Sequence, residues 1–300
     1  MCWGSVRFFK HLIYSILLVF GLTISVLAYN IICLIIPDRP ESSTINQPAE
    51  AKIVPTTTTQ PIQPTEKEEK ESDILKPYQL LYPAMYGSKA DNLIEQENTV
   101  YLTFDDGPSN LTPKVLEILK KNDIKATFFV VGKPDSESRK IMKRIVDEGH
   151  AIGVHSYSHD YRRIYQSVDA YLDDFYKMYN LIYEATGVEP SIFRFPGGSV
   201  NSYNKDIYNE IVEEMNRRGF TYYDWNVSSS DTKTNASVKS IRNNVLNGIA
   251  QGKRSIVLMH DSSAKNNTVA ALDGIIRELK NRGTNFDILT NEVKPIVFKY

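Results

Sequence analysis

Five short polar stretches in this chain of 300 residues carry side chains that can move protons or hold a cation. Asp105 and Asp106 stand side by side in TFDDGPSN, and His155 and His159 bracket HSYSH. Arg194 opens RFPGGS, Asp231 follows three serines, and LMHD contributes His260 and Asp261. Two imidazoles and one carboxylate make a three-ligand N,N,O set that leaves a coordination position open, the pattern of a catalytic rather than a structural zinc site. The same donors accept cobalt or nickel. Each stretch taken singly also has a plainer reading. Asp-Asp-Gly-Pro is built of turn formers. Two histidines four apart are equally a surface pair, although on one helical turn they would face the same way and could grip one ion. What favours a site is position: three of the five histidines, His155, His159 and His260, fall where strands are predicted to end. The only cysteines, Cys2 and Cys33, precede the folded region, which therefore has no disulfide, thiol nucleophile or thiolate metal site.

The elements that must position these groups are legible as an alternation. Apolar runs predict strands at Val100–Phe104, Ala126–Val131, Ala151–Val154, Ile192–Phe195, Phe220–Trp225, Ser255–Met259 and Phe286–Leu289. Between them, helical spacing covers Pro113–Lys121, Glu137–Asp147, Val168–Thr186, Lys205–Arg218, Val238–Ala250 and Val269–Arg282. Gly149, Gly187, Gly219 and Gly283 sit just past helix ends, where a left-handed cap is wanted. Strand and helix in regular succession predict an α/β fold, a distorted (β/α) barrel of about seven parallel strands. In such barrels polar residues at the carboxyl ends of strands converge on one face, and the five polar stretches all follow strands.

With these motifs in order, TFDDGP, HSYSH, RFPGG, SSSDT and LMH, residues 99–289 resemble the polysaccharide deacetylase (NodB homology) domain of carbohydrate esterase family four. The resemblance implies that Asp106, His155 and His159 ligate a divalent metal, zinc first, with cobalt or nickel as alternatives. It implies Asp105 as general base, oriented by Arg194, and His260 as general acid, tuned by Asp231. The Gly197 N–H would help hold the oxyanion, Leu258 would contribute to the acetyl pocket, and Pro196 would bind substrate beside them. Two departures stand out. The family's Arg-x-Pro-Tyr-Gly is Arg194-Phe195-Pro196-Gly197-Gly198 here, without the ring. Its Asp-Ser-x-Asp-Trp is Ser228-Ser229-Ser230-Asp231-Thr232, without the first carboxylate and the indole. Trp225 or Tyr223 are the rings nearest to hand, and Asp224 is the rival to Asp231 for tuning His260.

The rest of the chain speaks to location. Leu12 to Ile36 is an apolar run of 25 residues free of Asp, Glu, Lys and Arg, long enough for a bilayer of ~30 Å. Arg7 and Lys10 before it predict a single-pass anchor with the rest of the chain extracytoplasmic. A cleaved signal peptide is the alternative, disfavoured by the length of the run and its bulky end. Residues 37–73, rich in Pro, Thr, Glu and Lys, predict a disordered linker, followed by a deacetylase domain over 74–300 with its core at 99–290. A net charge of -1 argues against nucleic acid as a partner. The location points to peptidoglycan N-acetylglucosamine as substrate. N-acetylmuramic acid, chitin oligosaccharide, exopolysaccharide and xylan are alternatives, and a wall-binding module with lapsed catalysis is the rival class.

Overall fold

The computed structural model describes residues 75–299. The apolar run of residues 12–36 and the linker of residues 37–73 lie outside them, and among the described residues no helix is long and apolar enough to cross a membrane. The elements run β1 (Thr99–Asp105), α1 (Thr112–Lys121), β2 (Thr127–Val131), α2 (Ser136–Asp147), β3 (Ala151–Ser156), the single turn α3 (Tyr161–Ile164) and α4 (Val168–Thr186). They continue through β4 (Ile192–Phe193), α5 (Tyr208–Arg217), β5 (Thr221–Tyr222), β6 (Val227–Ser228), α6 (Val238–Gly248), β7 (Ser255–His260), α7 (Asn266–Asn281) and β8 (Asn285–Phe286).

All strand pairs are parallel, in the order β5-β4-β3-β2-β1-β7-β6, with β8 beside the start of β1. The edge strands β5 and β6 are consecutive in sequence. The chain reaches at most ~3.3–3.6 Å per residue, so the five steps from Tyr222 to Val227 force the two edges together and the sheet must curl. One extended run thus pairs with β4 at Thr221 and Tyr222, then with β7 at Val227 and Ser228. The predicted strand Phe220–Trp225 is corrected accordingly. Only its first residues pair, because the chain then leaves one edge to reach the other, and β6 is the strand that the apolar pattern did not show. The curled sheet has eight strands where about seven were expected.

Helices cover the outer face. Ser167 caps α4 by accepting the Ala170 N–H (3.1 Å), its buried face runs through Tyr171, Leu172, Phe175, Met178 and Ile182, and Gly187 ends it at φ +76°. Gly149, Gly219 and Gly283 are likewise left-handed, as their positions required. Outward residues Val100, Leu102 and Phe104 of β1 join the main core beneath the helices, whereas Tyr101, Phe129, Ile192, Tyr223, Ile256 and Leu289 fill a second cluster inside the curl.

Candidate active site

Period-two alternation decides which side chains reach the carboxyl end of the curl. Since Val100, Leu102 and Phe104 face the helices, Tyr101, Thr103 and Asp105 form the inner column of β1, passing from phenol to carboxylate. In β7 the inner column is Ile256, Leu258 and His260, and the register sets His260 directly beside Asp105. β3 ends inward on His155, and the residue after β4 is Arg194. Asp106 breaks the alternation: its φ of +71° turns it back toward the same end. Gly107 then has no room for a side chain, because a Cβ there would lie 2.5 Å from the Asp261 carboxylate.

Arg194 is fully buried and every arm is engaged. Nη1 donates to Asp105 Oδ1 (2.9 Å) and Thr103 Oγ1 (2.6 Å), Nε to the Tyr223 carbonyl (2.8 Å) and Nη2 to the Asp224 carbonyl (3.2 Å). Its guanidinium lies 4.4 Å from the Phe129 ring centroid. Asp105, 2 % exposed, is held by an ion pair that desolvation makes geometrically demanding.

His155 Nδ1 lies 2.8 Å from the Arg194 carbonyl, so Nδ1 carries the proton and Nε2 is bare toward the site. Burial lowers its pKa, against the pull of Asp105 and Asp106, which favours the neutral ring that metal ligation needs. His159 does not share a helical turn with it. It lies in the loop after β3 with φ +54°, which corrects the helical placement inferred from the spacing. That loop is tied by Asp174 of α4, which accepts from Ser156 Oγ (2.6 Å), Tyr157 N (2.7 Å) and Ser158 N (2.8 Å). Ser156 Oγ in turn accepts the His159 N–H (2.8 Å).

Asp106 Oδ1 is 3.2 Å from His159 Nε2 and 3.6 Å from His155 Nε2, and one ligand atom from each residue lies within 4.8 Å of the others. Burial works to raise the Asp106 carboxyl, but the two imidazoles override it and hold its pKa below the ordinary range. Although close to both rings, Oδ1 is buried without an aligned hydrogen bond. A buried acceptor left in that state is costly, and a cation shared with the two imidazoles satisfies it, so the N,N,O set fits a divalent metal.

His260 stands beside Asp105 in register, where burial lowers its pKa, but Asp231 reverses this and leaves it raised. His260 Nδ1 is 2.8 Å from Asp231 Oδ1, while Asp231 Oδ2 accepts from the His260 N–H (2.9 Å) and Thr268 Oγ1 (2.8 Å). Asp224, the alternative partner, is engaged elsewhere. It accepts from Ser199 N and Oγ and from Phe298 N, and thereby fixes the loop after Arg194. Pro196 is buried, and its carbonyl accepts the Tyr165 hydroxyl (2.8 Å). Gly197 is exposed at φ +79°, and Leu258 is buried one inward position before His260. Tyr223 is buried inside the curl with its hydroxyl on the Thr290 carbonyl (2.6 Å), and Trp225 is half-buried against Phe298.

Asp174 and Tyr161 escaped the sequence reading, and Asp261 was picked out there by position without a role. Asp261, fully buried, has its carboxyl pushed up to about 7 by burial in spite of a hydrogen bond from Thr112 Oγ1 (2.5 Å). A charged residue after a strand-end histidine was its only signal. Asp174 has none, being a polar position in a helix, and Tyr161 likewise stands out only once its ring is seen 5.3 Å from that of His159.

Residues 93–222 match the family model for polysaccharide deacetylases. The chain is 34 % identical over 203 residues to a peptidoglycan-N-acetylglucosamine deacetylase of Bacillus cereus, across 66 % of this chain and 71 % of the relative. The chain belongs to the polysaccharide deacetylase family. Among solved structures it is similar to the catalytic domain of a peptidoglycan N-acetylglucosamine deacetylase from Eubacterium rectale, with a TM-score of 0.66 and 36 % identity over 70 % of this chain and 97 % of that one. It is also 32 % identical to a peptidoglycan-N-acetylmuramic acid deacetylase of Bacillus subtilis, over 68 % of this chain and 78 % of the relative. This deacetylase is accordingly a hydrolase of the carbohydrate esterase four type, and its Asp106, His155 and His159 are the candidate metal ligands in a family that is generally metal-dependent.

Proposed function

We propose that this chain is a metal-dependent N-deacetylase of peptidoglycan that acts on N-acetylglucosamine and is held at the outer face of the cell membrane by residues 12–36. The observation that carries the catalytic reading is the convergence of Asp106, His155 and His159 at the strand ends where Asp105, held by Arg194, and the Asp231–His260 pair stand in adjacent register. The names of two similar proteins, both peptidoglycan N-acetylglucosamine deacetylases, favour the substrate.

Asp106 Oδ1 and the Nε2 atoms of His155 and His159 would hold the cation, for which zinc suits the donor set and cobalt or nickel is acceptable. A divalent ion there supplies Lewis-acid chemistry, polarising an amide carbonyl and acidifying water. Asp105, oriented by Arg194, takes one proton from the attacking water as its oxygen bonds to the acetyl carbon. The Gly197 N–H faces the tetrahedral oxyanion, with Pro196 and Leu258 against the methyl. His260, its imidazolium favoured by Asp231, gives a proton to the sugar nitrogen as the C–N bond breaks. The free amine and acetic acid leave, the acid ionising to acetate by losing the second water proton to solvent, and the proton held by Asp105 restores the His260 imidazolium.

The test is acetate release from wall glycan by the full-length chain in detergent, stripped with a chelator and then reloaded with zinc. Release that disappears on stripping and returns with zinc is expected, with the new amine on glucosamine when muramidase-digested products are weighed by mass spectrometry. Release that survives stripping would overturn the metal dependence, and amines on muramic acid would overturn the substrate.

A further inference from the structure

We infer that Tyr161 and Tyr203 form an aromatic platform on which a sugar ring of the glycan stacks beside the metal ligands, taking over from the ring absent at position 197. The inference rests on the glycan-deacetylase reading and names the surface that grips the substrate. Three rings stand in a row leading outward: His159 to Tyr161, with centroids 5.3 Å apart and planes at 74°, then Tyr161 to Tyr203, 5.5 Å apart at 41°. The far end is open, since Tyr203 is 49 % exposed.

The space over Gly197 is filled by Tyr161. A Cβ at Gly197 would lie 2.7 Å from Tyr161 Cε1 and 3.5 Å from its hydroxyl oxygen, so a ring carried by residue 161 occupies the ground that a side chain at 197 would enter. Position 197 and position 161 are therefore alternatives, and this chain uses the second.

The backbone that carries the exposed ring is also held in place. Asn201 Oδ1 accepts the N–H of Tyr203 (2.9 Å), Asn201 Nδ2 donates to the Gly198 carbonyl (3.0 Å), and Asn204 Nδ2 donates to the Ser199 carbonyl (2.9 Å). Ser199 is itself fixed by buried Asp224. A large ring left in water on a loop this constrained loses little further freedom on binding, which is what preorganised recognition requires. The apolar C–H face of a pyranose presents hydrogens to the electron-rich face of a phenol ring, and a phenol hydroxyl adds a polar contact.

Soluble N-acetylglucosamine tetramer and the zinc-loaded full-length chain provide the test, by calorimetric binding and by steady-state acetate release. Tyr161→Ala is expected to weaken tetramer binding about tenfold and to raise KM by a similar factor while kcat changes less, Tyr203→Ala to weaken binding about threefold, and Tyr161→Phe to restore most of the loss. Zinc content should stay stoichiometric in all three. Unchanged tetramer binding in both alanine variants would overturn the platform, as would a fall in kcat and zinc content at constant KM, which would make Tyr161 a packing residue beneath His159. Wild-type chain that binds the tetramer through Tyr161 yet releases no acetate would refute the deacetylase reading and leave the platform standing.

Discussion

His260 and Asp231 illustrate how a neighbour outweighs burial. The His260 side chain is only 12 % exposed, which by itself favours the neutral ring, yet the carboxylate 2.8 Å from Nδ1 makes protonation the favoured state to a higher pH than for an ordinary histidine. A general acid must be protonated, so a raised pKa moves the basic limb of kcat/KM upward. Asp231→Asn keeps a hydrogen-bonding group but removes the charge. We predict a loss in kcat/KM of about 10²-fold or more and a basic limb displaced toward lower pH, near or below the usual histidine value of ~6.5. Rate profiles over the neutral range check this, and a profile with an unmoved limb would remove Asp231 from that role. Much of this residue-level arrangement was legible, because strand-end position picks out Asp105, Asp106, His155, Arg194, Asp231 and His260 without any structure. The placement of His159 was not. Spacing of four fits a helical turn, but the same spacing fits a loop that doubles back, and what selects the loop is Asp174, a residue 15 positions downstream whose helix brings it alongside.

At the level of elements, the same contrast separates long strands from short ones. β1, β2, β3 and β7 follow their apolar runs closely, since a strand paired on both sides keeps its whole length. β5 and β6 are two residues each because their segment serves both edges of the curl, a tertiary fact that apolar periodicity does not encode. A second long-range device closes the opposite end of the domain. Arg218, fully buried at the end of α5, donates Nε to Glu214 Oε1 (2.6 Å) and spends its remaining arms on the carbonyls of Tyr78, Leu81, Tyr82 and Met85. It thereby staples the segment before β1 to the helix layer, with Met85 driven fully into the core. Glu214 is 1 % exposed and also takes two bonds from Arg217. Removing Glu214 leaves a buried guanidinium without its counter-charge, so Glu214→Ala should cost ~3–5 kcal/mol, visible as a lower urea midpoint and as early proteolysis within residues 75–90. Burial pushes the Glu214 carboxyl up, but the two arginines more than offset it and leave its folded pKa below the unfolded one. The stabilisation is therefore complete above the unfolded value of ~4.3 and is lost as pH falls through the folded one. The Glu214→Ala penalty should shrink on acidification below that point, and a penalty independent of pH would refute the ion-pair account.

For the whole molecule, the decisive question is what residues 1–73 do for a site built to act on a polymer. A soluble catalyst could diffuse to any glycan, whereas a chain fixed by residues 12–36 acts only on glycan within reach of its tether. If residues 37–73 behave as their composition suggests, a flexible chain of that length has an end-to-end distance of about 30–35 Å at ~5–6 Å × √n, which confines the site to the layer nearest the membrane. Anchor and signal peptide then differ in observable ways. An uncleaved span keeps Met1 on the mature chain, sediments with membranes and resists carbonate extraction at alkaline pH. A cleaved one yields a soluble product lacking the apolar run. We predict the first pattern, with the domain digested by protease added to the outside of spheroplasts. Leu18→Arg with Leu22→Arg places two charges near the centre of the run, each costing ~2.5–3.5 kcal/mol on the insertion scale, and should divert the protein from the membrane fraction. Deleting residues 37–73 should leave acetate release from soluble tetramer unaltered, because the residues assigned to the site all lie after position 100, while lowering deacetylation of intact wall. Equal wall deacetylation with and without the linker would mean that reach is not what the segment supplies.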